Sequence, residues 1–542
     1  MRFLSRLSHL AVLLCCSPIA YSATIAGTVR GPEGAAFRGA FVAAQNAKTR
    51  IAVYVLSDPQ GHYRIPNLPA GQYTLFVRSI GHEAQPQTAT IAAASQNLSF
   101  DFAIQKSAVR WSDLSGYQGK QLLPPGKQRN VLVTRCSTCH FFQNRWVPLS
   151  LDVDGWKNGI EYMKALTVAG SIDQKTETDL ATYLASAFGP DSVLPKSPEQ
   201  APGYGKAPPE PVTDDALNIV YVEYEMPQPH YFPFSAAPDN TGHVWIPNHG
   251  ATNKITRLDP ETGAMQDFQV PYTGPALIHS AVPAPDGTVW LAESGRSHVL
   301  GKWDPATQKI TEYVDNIAPP GQTGSDDQAS HGELAGAGPG QKHTVRIDKD
   351  LNVWSSGIPL TEFDRKTGKF THFNDAAVAY DVKPAPNGDV WFTFPSANRI
   401  GKVDAKTRKV SMWEMPTPNI YPRRMEIGPD GMIWVGEAGF PFSVGKMARF
   451  DPRTQTFKEY VLPGPDPSPY ALGFDADGYL WYDSHYQDTV NRFDTRTGKI
   501  IEYPFPHAEI SHREFFRDRQ GRMWYGSNPN NKVGYFYLTG KK

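Results

Sequence analysis

Tryptophan recurs at 245, 290, 354, 391, 434, 481 and 524, with spacings of 45, 64, 37, 43, 47 and 43 residues. No other feature constrains the fold as much. Turns precede most of these tryptophans: Pro285-Asp286-Gly287, Pro386-Asn387-Gly388, Pro429-Asp430-Gly431, Ala476-Asp477-Gly478 and Arg519-Gln520-Gly521. About 14 residues later a second turn follows, begun by Asp259, Asp304, Asp364, Asp404, Asp451 or Asp494, and then an outer strand such as Ile310-Thr311-Glu312-Tyr313. Four short strands per period of about 40–45 residues is the unit of a β-propeller, and seven periods predict a seven-bladed one over residues 216–542. The last period stops after Val533–Leu538 and lacks an outer strand, whereas Tyr221–Pro227 has the signature of one yet precedes the first tryptophan. That segment is expected to complete the last blade and remove its open edge.

Aligning the periods exposes a candidate site. The residue 11 before each tryptophan should begin the innermost strand, at one mouth of the central channel; these are His279, His343, Tyr380, Arg423, Tyr470 and Arg513. In the first period two extra turn residues are expected to shift the equivalent to Phe232, and His230, Asp381, Arg424 and His512 are neighbours. Polar groups converging from several elements are a ligand-site pattern, although a wet channel mouth tolerates polar residues without any ligand. The His and Arg content points to an anionic or metal-linked ligand. The 64-residue spacing holds an insertion at 315–342, with six glycines, His331 and Glu333, which reads as a flexible lid.

Phrases such as Asp286-Gly287-Thr288-Val289-Trp290-Leu291-Ala292-Glu293 and Lys499-Ile500-Ile501-Glu502-Tyr503 make residues 216–542 resemble the streptogramin B lyase (virginiamycin B lyase) family. The resemblance implies a propeller whose last blade supplies a histidine base, with Mg²⁺ held by a Glu two residues before it and another four past the Trp. His512 matches the base, but Glu509 lies three residues before it and Asn528 stands four past Trp524. The carboxylate pair suited to Mg²⁺ is therefore incomplete.

The N-terminal part carries a second chemistry. Arg2 and Arg6 precede the apolar run Leu10–Cys16, and Ala20-Tyr21-Ser22 offers small residues for cleavage, so residues 1–22 read as a signal peptide removed after Ser22, with an uncleaved anchor as the alternative. Periplasmic export and no transmembrane helix are expected. Two cysteines then remain, in Cys136-Ser137-Thr138-Cys139-His140, the pattern for covalent haem c attachment with His140 on the iron. Residues 115–190 are expected to form a small all-α cytochrome c-like domain, with helices over Lys127–Cys136, around Trp156–Leu166 and over Asp173–Phe188. Met163, the one methionine within 115–200, is the expected sixth iron ligand by elimination, with core filler as the alternative.

Residues 23–107 read as a separate β-sandwich module. The stretch Ser57–Leu75, with Asp58-Pro59-Gln60-Gly61-His62-Tyr63 and then Leu68-Pro69-Ala70-Gly71-Gln72-Tyr73, resembles the carboxypeptidase regulatory-like domain, a spacer or docking module. The Pro- and Gly-rich residues 191–215 read as a linker. The chain is thus mainly β, with a net charge of −1 from 53 Lys+Arg and 54 Asp+Glu, which gives no footprint for nucleic acid. The expected function is that of a periplasmic haem c oxidoreductase. Its propeller takes a small-molecule substrate, its single haem relays electrons to a redox partner such as another cytochrome, and room remains for a second cofactor or divalent metal. A lyase-like or non-catalytic binding propeller, with the haem unit as sensor or docking element, is the alternative.

Overall fold

The computed structural model describes residues 23–540 apart from 93–95, 138–140, 144–145, 167–171, 207–210, 251, 275, 296–297, 318–339 and 440–443. Residues 1–22, read as a signal peptide, together with Cys139, His140 and the insertion residues His331 and Glu333, lie outside the described residues.

Residues 23–106 form two main sheets packed face to face, with a short pairing of Gln105–Lys106 and His82–Glu83 besides. One joins His62–Leu68, Ala23–Arg30 and Asn97–Ser99; the other joins Ala52–Leu56, Phe41–Asn46, Gly71–Arg78 and Gln87–Ile91. Alternation builds the core: Tyr73, Leu75 and Val77 point inward from Gly71–Arg78, onto Ile25, Val42 and Ile65. Gly61 closes the Asp58 turn at φ 78°, where a Cβ would stand 2.4 Å from the Val29 carbonyl oxygen, so no larger residue fits there.

A small helical unit follows, built on Gly116–Leu122, Lys127–Val131 continuing through Leu132–Cys136, Val153–Leu166 and Gln174–Phe188. Ser115 and Gln118 form a reciprocal capping box at the first helix, and Asp173 caps the last through the Thr176 N–H at 2.7 Å. Leu180, Ala181, Leu184, Ala187 and Phe188 bury one stripe of that last helix against Trp111, Leu132, Phe142, Trp156 and Ile160. The segment read as a linker is packed down: the Trp111 indole N–H donates to the Pro195 carbonyl at 2.9 Å, and Arg38 donates to that of Val212 at 2.7 Å.

Among the described residues six four-stranded antiparallel sheets succeed one another from Ala237 to Pro504, a seventh set of strands follows at Phe516–Arg517, Met523–Ser527 and Lys532–Leu538, and the innermost strands touch in sequence, the seventh against the first. The tryptophan period has a local cause. In four sheets an aspartate six residues earlier accepts the indole N–H: Asp239 for Trp245 (2.8 Å), Asp348 for Trp354 (3.0 Å), Asp475 for Trp481 (3.0 Å) and Asp518 for Trp524 (2.8 Å). The other carboxylate oxygen of Asp475 caps its turn, accepting the N–H groups of Asp477 and Tyr479.

The ring closes as expected, through Ile219–Glu225 rather than 221–227. This strand pairs antiparallel with Lys532–Leu538, from Ile219 opposite Leu538 to Glu225 opposite Lys532. Its other edge pairs with Ala52–Leu56 of the sandwich, Tyr221 opposite Tyr54 and Val222 opposite Val53. One eight-stranded sheet therefore runs from the last propeller sheet into the sandwich.

Candidate functional site

At one end of the channel each of the seven sheets contributes one side chain to a closed circuit. His279 and His343 rings lie 3.8 Å apart between centroids, and His343 and Tyr380 lie 4.5 Å apart. The Tyr380 and Tyr470 hydroxyls are hydrogen-bonded to each other. Two guanidiniums flank the Tyr470 ring, Arg423 at 4.4 Å and Arg513 at 4.8 Å. Arg513 reaches the Phe234 ring at 5.0 Å, and Phe234 meets His279 at 5.0 Å, closing the loop. All seven side chains are buried.

The backbone aims these side chains. The inner strands slip register between Ile278 and Ser280, Lys342 and Val345, Pro422 and Met425, and Pro469 and Leu472. The skipped residues include His279, His343, Arg423 and Tyr470, so each rides a bulge that turns it off the sheet toward the axis. Phe232, Leu277 and Tyr421, two residues before Phe234, His279 and Arg423, have φ of 56°, 47° and 61°. A left-handed conformation in bulky residues stores strain at all three entries.

Ionic side chains adjoin the circuit. Arg424 donates to Asp381 at 3.2 Å and to Thr344 at 2.8 Å, and lies 3.4 Å from Glu514, which Arg346 also engages. Burial pushes the Asp381 carboxyl up, but Arg424, then Lys383 and Arg346, hold it below the usual range. These side chains form a buried, hydrogen-bonded ion network beside the circuit.

The His343 Nδ1 lies 2.8 Å from the Tyr380 carbonyl, which accepts but cannot donate, so Nδ1 carries a proton. Behind Tyr470, Asp483 accepts the N–H groups of Tyr470 and Ala471 at 3.2 and 2.6 Å. Burial pushes its pKa up to about 7, against those two bonds and the Arg513 charge.

Several expected residues fall elsewhere. The first sheet contributes Phe234, 11 residues before Trp245 like all the others, and not Phe232: the two extra turn residues do not shift the register. His230 is exposed. His512 does not join the circuit; its ring is boxed by Phe505, Phe515 and Tyr525, 3.9 Å from Asp483, and burial lowers its pKa to about 3. His249, stacked on Phe234 at 4.0 Å, and His485, 6.2 Å from Tyr470, extend the rim. Both stand four past a tryptophan, a register that would have found them.

Among the described residues no group of three or more His, Cys, Asp and Glu side chains is placed to hold a metal ion. In the helical unit, Cys136 ends Leu132–Cys136 half-buried against the apolar core, and Met163 lies half-buried on Val153–Leu166. A thiol on an apolar core, within a Cys-x-x-Cys-His donor set, fits covalent attachment of a porphyrin. The unit docks beside the circuit. Phe141, the residue after His140, packs on His485 at 5.0 Å and Tyr486 at 4.9 Å, and the Tyr117 N–H donates to the Tyr486 carbonyl at 2.8 Å.

The Virginiamycin B lyase family profile matches residues 368–542, and the Carboxypeptidase regulatory-like domain profile matches residues 24–105. A streptogramin B lyase structure is 21% identical over 60% of this chain and 100% of its own, with a TM-score of 0.50. A selenomethionine-substituted virginiamycin B lyase from Staphylococcus aureus is 19% identical over 59% and 99%, with a TM-score of 0.49. None of the curated proteins matches the chain at a significant level. At these identities the likeness concerns the fold: a propeller of the streptogramin B lyase shape behind a carboxypeptidase regulatory-like module.

Proposed function

We propose that this chain is an exported ligand-binding propeller that takes a small organic anion in its channel mouth. The observation that carries this reading is the circuit of seven side chains, one per sheet, in which Arg423 and Arg513 flank Tyr470 while His279, His343 and Tyr380 complete the wall. Two guanidiniums in a desolvated setting favour an anion, and the aromatic edges favour a flat or apolar body attached to it. If the bound molecule also reacts, the base is His343, a ring of the circuit itself, rather than His512, which burial makes a weak base. An elimination of the lyase kind would then begin with proton abstraction by His343 while the two arginines hold the anion. Asn528, in place of a carboxylate, argues against the Mg²⁺ arrangement that the lyase resemblance implies.

The docking of Phe141 favours a second reading, a periplasmic haem c oxidoreductase. Cys136 and Cys139 would hold the porphyrin, His140 and Met163 would ligate the iron, and the group would supply one-electron exchange with a partner cytochrome. The chain's own contribution is positional: Phe141, His485 and Tyr470 form a contiguous ring-to-ring contact from the attachment motif to the mouth.

Fluorescence titration of the full chain with a panel of small organic anions tests the first reading. Arg423→Gln and Arg513→Gln should each weaken the best binder at least tenfold, whereas His343→Gln should keep binding and abolish any turnover. Affinity unchanged in both arginine variants would overturn it. The optical spectrum of exported protein tests the second: a c-type spectrum lost in Cys136→Ser supports it, and its absence from the wild type removes it.

A further inference from the structure

A cavity of about 340 Å³ lies where the three folded units meet. Its wall combines Phe41 and Arg78 of the sandwich, the 113–118 segment of the helical unit, and Gln487, Asp488, Thr489 and Phe505 of the propeller. That volume suits a small molecule. Polar groups left over from the protein's own bonding line it, and they include donors. The Gln487 amide accepts from Ser484 through Oε1, while its Nε2 has no hydrogen-bond partner among the described residues. The Thr489 hydroxyl and the second oxygen of Asp488 likewise have none, and both residues are 8% exposed. Asp488 accepts the Ile510 N–H at 2.8 Å through its other oxygen, and burial raises its pKa well above the usual range, so the second oxygen is held toward its protonated, donating form.

Arg78 is the cation of the lining. Arg78 donates to His507 Nδ1 at 2.9 Å and lies 4.0 Å from Asp113, but Asp113 is already engaged by Arg110 at 2.9 Å. Burial lowers the His507 pKa to about 4, which leaves that ring neutral. Arg78 is thus the guanidinium of the wall, beside a neutral imidazole and a carboxylate that Arg110 already engages. Leaving buried donors unbonded costs about 1–3 kcal/mol each, a cost a matching acceptor removes.

We propose that this junction cavity is a second ligand site, taking a small organic monocarboxylate whose charged end meets Arg78, Gln487, Asp488 and Thr489 and whose apolar body packs between Phe41 and Phe505. It is independent of the channel mouth. Because its walls come from all three units, its occupant fastens the helical unit and the sandwich to the propeller.

Benzoate is the probe, titrated into the full chain by calorimetry. The Arg423→Gln/Arg513→Gln variant silences the mouth, so benzoate binding that persists there belongs to the junction, whatever the mouth does. In that background Thr489→Val and Gln487→Leu should each weaken binding at least tenfold, and a crystal soaked in benzoate should show it between Arg78 and Asp488. If either substitution compromises folding, Arg78→Lys, which keeps the charge and removes the fork, should produce the same loss. Absence of benzoate binding to the wild type, its complete loss in the mouth variant, or junction variants within twofold of their background would overturn the proposal.

Discussion

Tyr470 and His512 show how far apart two side chains of one channel wall can be in role. Tyr470 stands in the circuit between two guanidiniums; His512 is one residue before Arg513 yet sits in an apolar box on the other side. Successive side chains of an extended segment point to opposite faces, so adjacency in sequence separates them in space. This is why His512 lies outside the circuit that Arg513 joins. The buried neighbours His512 and Asp483 then respond to pH in opposite windows. The folded pKa of His512 is lowered from 6.5 to about 3, so its contribution is intact above pH 6.5 and is lost as pH falls toward 3. The folded pKa of Asp483 is raised from 3.8 to about 7, so its contribution is intact below pH 3.8 and is lost as pH rises through 7. Each pKa unit is worth about 1.4 kcal/mol, reduced by whatever water enters the opened state. His512→Phe should therefore gain stability relative to wild type as pH is lowered from 7 to 4, by about 2–3 kcal/mol. Asp483→Asn, which keeps an oxygen for the Tyr470 and Ala471 N–H groups, should gain a similar amount as pH is raised from 4 to 8. Urea midpoints measured at both ends of each range check the signs, and parallel curves for variant and wild type would refute them.

At the scale of elements, the strand Ile219–Glu225 carries more than closure. It hydrogen-bonds on one side to the final propeller strand and on the other to the sandwich, so it is interior to an eight-stranded sheet. A proline in a central strand removes a ladder hydrogen bond, which confines it to edge strands and bulges. Val222→Pro should lower the melting temperature of the propeller and release the sandwich in the same variant, read as new protease cuts in the 46–56 region. Loss of propeller stability with an unaltered sandwich cleavage pattern would contradict the shared strand. The closing role was legible because the last period visibly lacked a strand and the first had one to spare. The sandwich pairing was not, because an edge strand carries no mark of which distant edge it will join. Gln45 and Arg50 do hold Glu225, at 3.0 and 3.2 Å, but those residues acquire meaning only once the two edges are side by side. The mouth was legible for a comparable reason: a period of four strands fixes the inner position by counting from each tryptophan. Phe234 was missed because two extra turn residues were assumed to shift the count, whereas the register holds.

For the whole molecule, the two smaller units meet the propeller on its last two sheets. The sandwich extends the seventh, and the helical unit sits on the sixth through Phe141, Tyr117 and Lys120. Lys120 forms an ion pair with Asp466 and lies 4.5 Å from the Tyr486 ring. Both partners of this pair are largely buried, so breaking it strands a charge in a poorly solvated interface, a cost well above that of an exposed pair. The contact matters beyond stability because Tyr486 adjoins His485, which reaches Tyr470 in the circuit. Lys120→Glu should loosen the docking by about 2 kcal/mol, seen as roughly thirtyfold faster hydrogen exchange in Gly116–Leu122 with the propeller sheets unchanged. Adding Asp466→Lys to that variant restores the pair with its charges exchanged, and should recover most of the protection. If the double variant exchanges as fast as the single one, the ion pair does not hold the unit in place, and the docking rests on Phe141 and the Tyr117 hydrogen bond alone.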